Sequence, residues 1–102
     1  MAFRTAFIAH APEADPEKNR CTIEMEKYRL EVRIVSNQEQ ALEVCRKLAE
    51  EGLDSILLCP GFTHADVAEI AATVGSGIGV TVARGDAPSN RAAMEVIARE
   101  WG

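Results

Sequence analysis

The stretch LLCPGFTH, residues 57 to 64, puts a thiol, a turn, a hydroxyl and an imidazole within a few positions of one another. Cys59 closes an apolar run and stands beside a turn and a helix start. A helix N-terminus and a nearby imidazole both favour thiolate over thiol, so Cys59 is a candidate nucleophile. His10, which closes another apolar run, is its candidate partner in acid–base chemistry, and His64 is the second imidazole. The competing account of Cys59 is a small apolar side chain packed at the end of a buried strand.

Anion recognition is the second chemistry these residue types suggest. The backbone amides of Gly61, Phe62, Thr63 and His64, with the Thr63 hydroxyl, could face a phosphate or carboxylate at a helix start. Arg84 and Asp86 lie in ARGDAPSN. The Arg84 guanidinium could clamp such a group bidentately, joined by Asn90 and Arg91, or pair instead with Asp86 or Glu95. Pro60 removes one N–H and the turn has a single glycine, so it is far from a GxxxxGK[ST] phosphate loop; a plain strand-to-helix turn with a Thr cap competes. The histidines and cysteines have no metal-ligand spacing, and no residue pattern specifies a cofactor.

These side chains can meet only if the intervening elements bring them together. Phe3 to His10 reads as a strand, and the contiguous Phe7, Ile8 and Ala9 suit a central position covered on both faces. Polar APEADPEKNR follows as a loop in which Asp15, Pro16 and Glu17 fit one helical turn. Leu30, Val32 and Ile34 alternate with Glu31 and Arg33, which predicts a strand with one wet, charged face, at an edge or partly exposed. Ile23 and Met25 alternate similarly, so this run could pair with that strand across Glu26 to Arg29, although no Gly or Asn marks the turn. A helix capped by Asn37, with Gln40 three residues on, aligns Ala41, Val44, Cys45 and Leu48 and ends at Gly52.

Asp54 to Leu58 is a short apolar strand. Thr63 and Asp66 repeat the capping spacing for a second helix, with Val67, Ile70, Ala71 and Val74 on one stripe and Gly75 at its end. Ile78, Val80 and Val82 make a last strand, and the loop ARGDAPSN leads to a helix with Ala93, Val96, Ile97 and Trp101 on one face.

The sum is a single α/β domain over residues 1 to 102. It has a mostly parallel sheet of four or five strands with about three helices, Rossmann- or flavodoxin-like in three-layer style, and an antiparallel edge hairpin if residues 21 to 25 pair. The C-terminal strand ends of such a sheet share one edge, which would collect His10, Cys59 to His64, Arg84 and Asp86. Three helices cover both faces thinly. Apolar surface is expected around Phe3, Phe62 and Trp101, with Phe62 exposed by its turn, and a homodimer or larger homo-oligomer would cover it.

Composition excludes several classes. Net charge is −5, and the eleven Lys and Arg residues are scattered without aromatic interleaving, which argues against nucleic acid and against an anionic membrane surface. No apolar run approaches the roughly 20 residues of a membrane span. MAFRTAFIAH lacks a signal-peptide core, so a cytoplasmic protein is expected. Three cysteines, Cys21, Cys45 and Cys59, fit free thiols in a reducing compartment, with Cys45 in the core and Cys21 semi-exposed.

HAPEADPEKNR and EEGLDSILLCPGFTHADVAEIAATVG resemble a family of small bacterial α/β proteins of unknown function. The pattern is carried by Ala11, Pro12, Ala14, Asp15, Pro16, Glu17 and Lys18. It continues in Glu50, Glu51, Gly52, Asp54, Ile56, Leu58, Cys59, Gly61 and Phe62, an E-E-G-x-D-x-I-x-L-C-x-G-F signature. The resemblance reaches to about residue 85. Beyond Arg84, where members have a histidine- and glycine-containing loop, this chain departs. The resemblance implies the fold and the position of interest but no reaction.

Cys59 to Thr63 is also similar to the S-P-G-F strand end of ketodeoxyphosphogluconate-type aldolases, over five residues only. The chain is less than half of a (β/α)₈ barrel, and Lys18, Lys27 and Lys47 fall in a loop, a turn and a helix face, so that reading is set aside. The leading expectation is a binder of a small anionic metabolite at the C-terminal strand edge, through Gly61, Phe62, Thr63, His64, Arg84 and Asp86. A thiol-dependent enzyme using Cys59 with His10 and a purely structural homo-oligomeric subunit are the alternatives.

Overall fold

A computed structural model describes residues 1 to 102. The elements are β1 (Phe3–His10), β2 (Arg20–Glu24), β3 (Tyr28–Val35), α1 (Gln38–Glu51), β4 (Ser55–Leu58), α2 (His64–Val74), β5 (Gly79–Val82) and α3 (Ala87–Trp101). One five-stranded sheet has the order β2-β3-β1-β4-β5. β3, β1, β4 and β5 run parallel. β2 is antiparallel to β3, from Arg20 opposite Arg33 to Glu24 opposite Arg29, so the edge hairpin forms. Its turn needs no glycine, because the Met25 N–H donates to the Tyr28 carbonyl at 2.8 Å. No helix is long and apolar enough to cross a membrane.

Apart from β2, the parallel strands stand second, first, third, fourth, as in the flavodoxin-like winding. The crossovers β3–α1–β4 and β4–α2–β5 advance in the same direction, so their right-handedness lays α1 and α2 on one face. There Ala6, Ile8, Val35, Ile56 and Leu58 of the strands meet Ala41, Val44, Cys45 and Leu48 of α1 and Ile70 of α2. The connection from β1 to β3 holds β2 where a helix would have covered the opposite face. On that face Phe7, Leu30, Val32 and Ile34 are only half-buried and Leu57 is 39% exposed. One outer layer is complete; the other consists of what α3 supplies at the C-terminal end.

This arrangement reverses the expected orientation of β3. Glu31 and Arg33, read as the wet side, are 4% and 7% exposed, and β2, not β3, is the edge strand. The charged side faces α1, and its desolvation is offset by pairing. Arg33 Nε donates to Glu31 Oε2 at 2.7 Å, Arg20 approaches the same oxygen at 3.0 Å, and the Thr22 hydroxyl donates to Glu31 Oε1. Burial alone pushes the Glu31 carboxyl up. Hydrogen bonds from Thr22 and Arg33, with the charges of Arg33 and Arg20, outweigh it and hold the group below its ordinary 4.5.

The helix ends follow the capping rules. Asn37 Oδ1 accepts the Gln40 N–H at 2.8 Å, while the Gln40 side chain reaches back to Ser36, one residue before the cap. Gly52 leaves α1 at φ 98°, a region that favours glycine, and the Arg4 guanidinium donates to the carbonyls of Glu51 and Gly52 there. Asp15 closes its turn on the Glu17, Lys18 and Asn19 amides. α3 begins at Ala87, so APSN, read as loop, forms its first turn with Pro88 where a missing N–H costs nothing.

Glu31→Ala would leave Arg33 buried without its carboxylate and should cost about 3 kcal/mol, toward the low end for a broken buried pair because Arg20 is partly solvated. Urea unfolding at neutral pH measures this, and Glu31→Leu combined with Arg33→Met should recover most of the loss. The folded value of Glu31 lies below its unfolded one. Its contribution is therefore present above pH 4.5 and is lost as pH falls through the folded value, so wild type and Glu31→Ala should converge there.

Candidate functional site

In this winding the strand order reverses at β1, so the crevice between the ends of β1 and β4 is the switch point where open α/β sheets bind ligands. His10 is the last residue of β1, and Cys59 is the first after β4. Parallel pairing fixes their approach. The Cys59 N–H donates to the Ile8 carbonyl at 3.1 Å, and the His10 backbone N–H donates to Cys59 Sγ at 3.4 Å. The sulfur thus accepts from a backbone amide and not from the imidazole.

The His10 ring packs instead on Phe62, with centroids 4.2 Å apart and planes tilted by 49°. Phe62 is fully buried, which corrects its expected exposure. The turn through Pro60 and Gly61 folds back so that the Phe62 N–H donates to the Cys59 carbonyl at 3.3 Å. The side chain is thereby returned to the core beside Ile8 and Ile70. Burial lowers the His10 pKa from 6.5, and the Asp66 carboxylate partly opposes this. Gly61 has a different role. A Cβ there would stand 3.5 Å from Cys59 Sγ and 3.7 Å from His10 Cβ and Cδ2; its absence leaves both side chains open to the space above.

That space is a cleft of about 410 Å³. One wall is Ala9, His10, Cys59, Pro60 and Gly61; the other is Asn90, Ala93, Met94, Ile97 and Trp101 of α3. Ala9, Ala93, Met94, Ile97 and Trp101 were not among the expected site residues, whereas Asn90 was, as a partner of Arg84. The signal was present in the spacing: positions 90, 93, 94, 97 and 101 form one helical face, and the core had no position left for it.

The residues expected to bind an anion are placed elsewhere. Arg84 Nη1 donates to the Phe62 carbonyl at 2.8 Å and the Pro60 carbonyl at 3.3 Å, and Nη2 stands 3.4 Å from His64 Nδ1. It pairs with neither Asp86 nor Glu95; it clips the turn. Thr63 and Asp66 form a closed capping box, Thr63 N–H to Asp66 Oδ2 at 2.9 Å and Asp66 N–H to Thr63 Oγ1 at 3.1 Å. His64 is exposed at the helix start, and Asp86 precedes α3 without making a side-chain cap bond. Asn90 Nδ2 donates to the Arg84 carbonyl at 2.8 Å, tying α3 to this loop. The structure therefore brings together His10, Cys59 and Gly61 on the cleft side and Arg84, His64 and the Phe62 carbonyl on the other. No three His, Cys, Asp or Glu residues stand close enough to hold a metal ion. Cys45 is sealed in the core, where burial pushes its thiol up to about 12, and Cys21 is exposed.

Fold and site together define a single-sheet α/β protein with an apolar cleft at the switch point of a mostly parallel sheet. Residues 3–98 match a family described as a family of unknown function, DUF6506, and the chain belongs to it. The match runs through most of α3, beyond residue 85, to which the resemblance was expected to reach. No curated protein and no solved structure matches.

Because His10 is held below 6.5, the unfolded chain takes up its proton first as pH falls. Stability should decline from pH 6.5 downward until the folded value is passed. An NMR titration should place the His10 midpoint below 6.5, and His10→Gln should remove that part of the pH dependence of urea unfolding.

Proposed function

We propose that this chain binds a small, largely apolar molecule at the C-terminal strand edge, seated between α3 and the ends of β1 and β4. The lining of the cleft carries this reading: Ala9, Pro60, Ala93, Met94, Ile97 and Trp101 surround a floor on which His10, Cys59 and Asn90 are the groups with hydrogen-bonding or reactive atoms. A volume of about 410 Å³ lies within the range of roughly 300–1,000 Å³ usual for small-molecule sites, as does the pattern of many apolar walls and few polar groups. An anionic ligand has weaker support, since Arg84, Thr63 and the amide of Phe62 already have partners within the chain.

A fragment screen read by two-dimensional NMR tests this. Hits should shift the amides of Cys59 and Gly61, the His10 ring and the Trp101 indole. Ala93→Phe, a change at an exposed position of α3 that fills the cleft, should weaken the hits at least about tenfold, the equivalent of roughly 1.4 kcal/mol, without lowering the thermal midpoint. Hits that move Arg84 and His64 and ignore Ala93→Phe would instead favour the anionic ligand.

A thiol-dependent catalyst is the second reading, favoured by the His10 amide donating to Cys59 Sγ at 3.4 Å. In a Cys21→Ser/Cys45→Ala background, that reading expects a Cys59 alkylation rate whose pH midpoint lies well below about 8.5, the ordinary thiol value. A midpoint at the ordinary value would rule it out.

A further inference from the structure

We propose that the sheet face left bare by α1 and α2 is a docking surface for a second copy of this chain, each copy laying its α3 against the other's sheet. Strand register puts Ile23, Leu30, Val32, Phe7 and Leu57 on this face, and none of them is buried. No position on it carries a charge, whereas Glu31, Arg33, Arg4 and Arg29 all project from the opposite side. The usual polarity of a solvated sheet is thus inverted: the charges are on the helix-covered side and the apolar residues face water. Parallel strands are ordinarily covered on both faces, and an apolar surface with no charge to desolvate is what an interface core requires.

The surface area indicates how much is missing. A compact monomer of 11.1 kDa exposes about 5,650 Å², whereas this chain exposes 6539 Å². The excess of about 900 Å² is close to the ~800 Å² that each partner contributes to a standard interface. The radius of gyration, 14.0 Å, also exceeds the ~13 Å of a compact chain this long.

The occupant follows from the second unpartnered surface on the same chain. α3 has no buried residue, and Met94, Val96 and Trp101 are 57%, 46% and 52% exposed where they stand. The chain thus presents a bare sheet face and a helix that walls the cleft on one side and keeps apolar surface exposed beyond it. In a two-fold dimer each supplies what the other lacks, and one contact made twice closes the assembly. α3 need not leave its place, because Val96, 46% exposed, stands off the cleft-lining positions 90, 93, 94, 97 and 101.

Sedimentation equilibrium of the full chain, from submicromolar to hundreds of micromolar, decides the matter, with the emission of the single tryptophan, Trp101, as a second readout. The expected result is a dimer whose Trp101 emission moves to longer wavelength on dilution. Val32→Glu, which puts a carboxylate on the face, should raise the dissociation constant at least about 100-fold with an unchanged far-UV spectrum. Leu57→Lys, at a more exposed position of the same face, should do likewise and stands in if Val32→Glu does not fold. Val96→Asp should weaken the dimer from the helix side. A monomer at the highest concentration would leave the face to a partner of another kind and overturn the proposal. So would a dimer indifferent to Val32→Glu and Leu57→Lys. A dimer broken by those two changes and indifferent to Val96→Asp would overturn the part given to α3.

Discussion

Right-handed crossovers that advance in the same direction across a sheet must lay their helices on the same side. In this chain β3–α1–β4 and β4–α2–β5 both do so, and the remaining connection, from β1 to β3, holds a strand. The single core, the burial of a charged strand face and the bare opposite face all follow. So does the site. Because the chain leaves β1 toward β3 and then crosses it to reach β4, the ends of β1 and β4 are adjacent without being consecutive. That adjacency brings the His10 amide to Cys59 Sγ.

The elements and their ends were legible in the sequence because their signals are local. β1 spans the expected Phe3 to His10, and Asn37, Gly52, Thr63 and Gly75 act at the helix ends they mark. The approach of His10 and Cys59 was legible at one remove, since parallel strands share a C-terminal edge. Which side of β3 would be buried was not. Alternation separates two faces but does not say which one a helix will cross, and a glutamate opposite a threonine, with an arginine two residues on, can tolerate burial that a lone charge cannot. The partners of Arg84 were equally hidden, because its acceptors are the backbone carbonyls of Pro60 and Phe62, and a carbonyl leaves no trace in the choice of side chain.

The E-E-G-x-D-x-I-x-L-C-x-G-F stretch of this chain divides into two structural tasks. Its first part secures the N-terminal edge of the sheet: Glu51 and Gly52 offer carbonyls to the Arg4 guanidinium, and the Asp54 carboxylate accepts the Arg4 amide at 2.9 Å. Its second part builds the switch point: Ile56 and Leu58 anchor β4 in the core, Cys59 meets β1, Gly61 keeps the cleft open and Phe62 backs the His10 ring. Rigidity on one edge and open space on the other suit a scaffold that holds a small site in place. The polar loop after β1 serves the same end, since the Asn19 carbonyl accepts the Ile34 amide at 3.0 Å and ties the loop to β3.

Every core side chain of this molecule lies between Ala6 and Ile70. A ribosome that has released β5 has therefore delivered all that the fold needs, and α3 is still to come. The nascent domain at that moment is complete as a body and incomplete as a surface. Its edges are poor templates for stray strands: β2 carries Arg20 and Glu24, and β5 is four residues long and starts at glycine. Its hazard is the apolar face, which neither α1 nor α2 covers. If a second copy covers that face as proposed, the rate of covering is set by how many sister chains are made nearby, and a polysome that releases them side by side serves as the chaperone.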